Sequence, residues 1–154
     1  MDVMAAKESE RQGLYRDACE FYKKAGASFR DIRRCDAKAY AEEGDFHMAV
    51  CCAIIARDLK SVKNYAMNLE KKDDARQLID ALFACDVQLG KWKCVSDIVD
   101  RLFDYNDTRF SSDEIVQARL FCIEQMDNLF LVLLNHFETC FEIISCCWEV
   151  NTNG

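Results

Sequence analysis

The stretch Gly13-Leu14-Tyr15-Arg16-Asp17-Ala18, followed by Ala25, returns as Gly44-Asp45-Phe46-His47-Met48-Ala49, followed by Ala56. Every matched position is displaced by 31 residues (13 to 44, 15 to 46, 18 to 49, 25 to 56). A weaker third copy starts at Gly90-Lys91-Trp92, with Val95 and Leu102 in the alanine places. The physical content of the pattern is short. Glycine just past a helix takes the left-handed conformation that ends it. An aromatic two residues on seats the turn, and small residues let the next helix lie close against the first. A repeat period in this range marks an array of helical units.

Outward from these marks, apolar residues recur at three and four positions, as in Ala18, Phe21, Tyr22 and Ala25, or Ala49, Cys52, Ala53 and Ala56. That is helical periodicity. Gly13, Gly26, Gly44 and Gly90 each fall where such a pattern breaks, and proline is absent. The punctuation predicts nine helices, over 2–12, 15–25, 28–43, 46–57, 60–70, 73–88, 92–103, 112–126 and 128–148. The one long loop, 104–111, runs into Ser111-Ser112-Asp113-Glu114, whose Ser-x-x-Glu spacing is a capping box. With 154 residues, 51% hydrophobic, the chain reads as one domain, 1–154. A chain of this size buries roughly 70% of its unfolded surface. The composition excludes a disordered or linker-type chain, and the scarcity of turn residues excludes an all-β one.

Tyr40, Gly44, Phe46, Ala49 and Ala56 resemble the second half of the tetratricopeptide repeat and its relatives, and Tyr15, Ala18 and Ala25 carry the likeness one repeat earlier. The tryptophan and leucine usual in the first helix are missing, as is the repeat-ending proline. The likeness is clearest over 1–57, with degenerate repeats over 58–110 and capping or interface helices over 111–154. It implies an all-α array of antiparallel helix pairs, an α-solenoid similar to that family. The implied work is that of a protein–protein interaction scaffold or adaptor within a larger protein or complex. Arg30, Arg33, Arg34 and Lys38 are read as one helix face. In the resembled family that helix is the inner one of its pair. Arg34 and Lys38 then meet a bound peptide, with Lys7 of the preceding repeat beside them. Such cations suit an acidic or C-terminal carboxylate partner. The opposing reading is a solvated face neutralised by Asp31, Asp36 and Glu42.

The charge balance, 20 basic residues against 27 acidic, disfavours nucleic acid, whose affinity comes chiefly from Lys and Arg on phosphates. A helical-repeat nucleic-acid-binding accessory domain and a plain helical bundle that self-associates remain the alternatives. Residues 111–154 hold Arg119 as their one basic residue against seven acids. Within them, 128–148 carries the unbroken run Leu129 to Leu134, then Phe137, Phe141 and Trp148. His136, Glu138 and Glu142 argue against a membrane span. The excess of apolar side chains suits a partner surface or a homodimer through this C-terminal helix.

Ten cysteines without a Cys-x-x-Cys pair, lying beside apolar residues in helical patterns, read as buried free thiols in a reducing, cytoplasmic setting. The Asn106-Asp107-Thr108 sequon is then silent. No metal or cofactor is expected. His136 and Cys140 lie four apart but would need two more ligands. No enzyme is expected either, because His47 sits at the helix-turn position of a repeat, His136 lies in an apolar helix, and no glycine-rich phosphate loop is present.

Overall fold

The computed structural model describes residues 3–73, 75, 99–103 and 107–125. Five helices succeed one another: α1 (Val3–Arg11), α2 (Tyr15–Lys24), α3 (Phe29–Glu42), α4 (Phe46–Ile55) and α5 (Leu59–Ala66). Residues 99–102 are helical, a further helix covers 112–125, and no strand occurs among the described residues. Each of α1 to α4 packs on the helix that follows it. The turns between them are only three or four residues long, so the chain reverses at every one.

The 31-residue offset holds in the backbone. α2 and α4 are each ten residues long, and both ends of the second lie 31 residues beyond those of the first. Gly13 and Gly44 precede them with φ of 78° and 80°. At Gly44, its own N–H reaches the Ala41 carbonyl at 3.1 Å and the Asp45 N–H reaches the Tyr40 carbonyl at 2.9 Å. This pair of bonds satisfies carbonyls that a helix end otherwise leaves open. Ala18 and Ala49 are both wholly buried, where a larger side chain would hold the helices apart. Gly26 repeats as Arg57, which keeps the left-handed turn at φ 58° without glycine. Its side chain has other work: the guanidinium reaches Glu124 at 2.8 Å and lies over the Phe121 ring. It thereby ties the α4–α5 turn to the 112–125 helix.

Gly44→Ala is expected to cost about 1–2 kcal/mol, the penalty of a left-handed L-residue. No heavy atom lies within 4 Å of the added Cβ, so the loss is purely conformational. Urea unfolding measures it. An unchanged midpoint would mean the turn relaxes to another conformation.

Ser28, Asp45 and Asp58 cap α3, α4 and α5 by accepting a backbone N–H three residues on. The capping box forms as expected: the Glu114 N–H donates to Ser111 Oγ at 3.1 Å and the Ser111 N–H to Glu114 Oε1 at 3.2 Å. One boundary differs from the sequence reading by more than two residues. α5 ends at Ala66 instead of running to 70, because Asn68 Nδ2 donates to the Asn64 carbonyl at 3.0 Å and the chain tightens into a turn.

Among the described residues two apolar clusters form. The smaller joins Ala6, Ala18, Cys19, Tyr22 and Cys35 across α1, α2 and α3. The larger surrounds α4, all of whose residues from Met48 to Ile55 are buried, and includes Phe103, Phe110, Phe121 and Cys122. Cys19, Cys35, Cys51, Cys52 and Cys122 are free and buried. Burial pushes the Cys52 and Cys122 thiols up to about 12, so they stay protonated at neutral pH.

Candidate functional site

α1 and α3 present one charged face. Lys7 and Glu10 are three apart on α1, hence on the same side of it. Arg34 and Lys38 are four apart on α3. The Glu10 carboxylate gathers the face together. It accepts from Lys38 Nζ at 2.7 Å and from Tyr22 Oη at 3.0 Å. Arg34 grips it through both guanidinium branches, Nη1 on Oε1 and Nη2 on Oε2, the latter at 3.3 Å. Burial alone would raise this carboxyl, but the bonds from Arg34, Lys38 and Tyr22 outweigh it and hold Glu10 at about 2. Lys38 also lies over the Tyr15 ring, 5.7 Å from its centre. Lys7 is exposed and pairs with no acid among the described residues.

The basic run of α3 therefore divides. Arg34 and Lys38 stay together, as the sequence reading has them, but they turn to Glu10 and not to Asp31, Asp36 or Glu42. Arg33 turns the other way. Its Nε and Nη2 meet the two Glu114 oxygens at 2.5 and 2.9 Å, and its Nη1 meets Asp36 at 3.2 Å. Its Nη2 also donates to the Arg109 carbonyl, and its guanidinium lies over the Phe110 ring. Arg30 lies over its neighbour Phe29.

Asp36 is 7% exposed and takes Arg33, Arg16 and the Cys19 thiol. This second cluster sets four acids, Asp36, Glu43, Asp107 and Glu114, against three bases, Arg16, Arg33 and Arg109. Arg16 is held by Glu43, and Arg109 by Asp107. A cavity of about 420 Å³ lies beside it, lined by Arg16, Tyr40, Arg109 and Glu114 among others. With each of the three arginines already held by a carboxylate, it has little to offer an ionic ligand.

His47 is exposed at the start of α4, and its Nε2 lies 2.7 Å from the Leu102 carbonyl, so that nitrogen is the donor. The Cys51 thiol donates to the same carbonyl at 3.2 Å. Neither arrangement pairs a base with an activated nucleophile: burial raises the Cys51 thiol further from ionisation. Among the described residues no three His, Cys, Asp or Glu side chains are placed to hold a metal ion. No helix among them is long and apolar enough to cross a membrane.

Phe137, Phe141 and Trp148 lie outside the described residues, as do His136 and Cys140. Glu10 and Tyr22 are the members of the site that sequence reasoning missed. The usable signal was the repeat register, which sets Glu10 against Ala41 and so marks the acid as an addition to the common pattern. No family model, curated protein sequence or solved structure matches the chain.

Proposed function

We propose that the chain is a protein-interaction scaffold or adaptor, an α-solenoid of about nine helices in antiparallel pairs, similar to tetratricopeptide repeats and working in the cytoplasm. One observation supports the reading: α2 and α4 repeat on a 31-residue register, and Arg34 and Lys38 of α3 converge on Glu10 of α1, three residues beyond Lys7. Two cations share the single Glu10 carboxylate, and Lys7, which pairs with no acid among the described residues, adds a third cation beside them. Such a face suits an acidic protein or peptide segment. Neither catalysis nor a cofactor forms part of the reading.

The test is affinity capture with wild type against Arg34→Gln/Lys38→Gln. Neutral glutamines are used because two glutamates beside Glu10 would crowd three carboxylates together. Loss of an acidic partner at unchanged helical content supports the reading; undiminished capture contradicts it.

A second reading, self-association, draws on the 112–125 helix. Val116, Leu120 and Ile123 recur there at i, i+4 and i+7 and are all exposed, an apolar stripe opposite buried Ile115, Ala118 and Cys122. A homodimer would show in light scattering as a mass that falls on dilution, and Leu120→Glu should abolish it. A monomer at every concentration would remove this reading.

A further inference from the structure

Glu10 is in an unfavourable place for its own helix. It lies in the last turn of α1, where the helix dipole favours cations and opposes a carboxylate. Nor does the repeat require an acid there, since the matching position 31 residues on is Ala41. What holds it is the opposite helix, with Arg34 forked across both oxygens and Lys38 on one of them. This is the geometry in which the same residues would take the carboxylate of an incoming peptide.

We propose that Glu10 is a built-in competitor that occupies the Arg34–Lys38 pair until an acidic peptide displaces it. The inference rests on the reading that this face binds an acidic segment, and adds how the face is regulated. Its consequence is a threshold. A single ligand carboxylate merely exchanges for Glu10, whose loss from the pair returns a charge to water. A peptide with several acids gains more, because it also reaches Lys7 and the outward parts of Arg34 and Lys38. Those two side chains are 32% and 33% exposed, whereas Glu10 is 14% exposed. While Arg34 and Lys38 hold it, Glu10 stays ionised, so it occupies the pair as a charged carboxylate.

The experiment is a fluorescence anisotropy titration with a labelled hexaglutamate peptide at low salt, on the whole chain. Glu10→Gln should bind roughly ten- to a hundred-fold tighter than wild type, the span expected for regaining charge-assisted hydrogen bonds. Arg34→Gln/Lys38→Gln in the same background should remove the gain. Circular dichroism establishes that each variant is folded. A second measurement needs no variant: carbodiimide joins Lys38 to Glu10 in the free protein, and saturating hexaglutamate should suppress that link. Equal affinity of folded Glu10→Gln and wild type, with binding still dependent on Arg34 and Lys38, overturns the competitor alone. A Lys38–Glu10 link that persists under saturating peptide does the same. Hexaglutamate binding that ignores Arg34 and Lys38, or no binding by Glu10→Gln, overturns the competitor and the acidic-partner face together.

Discussion

Arg33→Ala is expected to lower stability by about 3–5 kcal/mol, the cost of breaking a buried ion pair by removing one member. The Arg33 side chain is only 14% exposed and joins α3 to a stretch far along the chain, the turn at 107–111 and the 112–125 helix that follows it. Without it, Asp36 and Glu114 are left as poorly solvated carboxylates, and Phe110 loses the guanidinium over its ring. Arg33→Lys should recover little, because an ammonium cannot fork across both Glu114 oxygens. Burial on its own would raise the Glu114 carboxyl, but Arg33 and the Ser111 hydrogen bonds together outweigh it and leave the group below its ordinary value. That contribution is therefore full above about pH 4.5 and fades as acid protonates the carboxylate. Guanidinium unfolding of both variants measures the effect. A loss under 1 kcal/mol for Arg33→Ala would place this bond with ordinary surface pairs.

Phe103→Ala should cost about 3–5 kcal/mol, the range for deleting a buried phenylalanine. Phe103 is completely buried and meets Phe110 edge-on, with ring centres 5.3 Å apart at 72°. The cavity would open in the cluster that also contains Ile54, Cys51 and Phe121, so the larger core carries the damage. Against a total stability of about 5–15 kcal/mol for a domain, such a change strips much of the margin. A thermal melt should shift down by many degrees. A melt within a degree of wild type would mean that Phe103 is not core.

Much of the helical order was legible, for reasons that can be named. α2 and α4 fall within two residues of the expected 15–25 and 46–57, because a glycine and an aromatic mark each start. The turn at Arg57 carries no such mark; only the 31-residue offset from Gly26 reveals it. α5 was read too long because its stop is a side-chain bond from Asn68, a residue that serves equally well inside a loop.

The site was half legible. Arg34 and Lys38 do lie together, yet a helix turns about 100° per residue, so Arg33 cannot share their face closely. Helical spacing alone grouped all four cations; the acids that sort them, Glu10 and Glu114, are 24 and 81 residues away from their arginines. Pairings across such distances follow from packing, which spacing within one helix does not encode.

The proposed role is tested most directly by zero-length carbodiimide cross-linking of the captured complex, followed by peptide mass spectrometry. The chemistry joins a lysine amine to a carboxylate in direct contact. Our account predicts links from Lys7 and Lys38 to glutamate or aspartate of the partner, with the internal Lys38–Glu10 link diminished as the complex forms. Partner links confined to lysines elsewhere, such as Lys60, Lys71 or Lys72, with the Lys38–Glu10 link undisturbed, would contradict it.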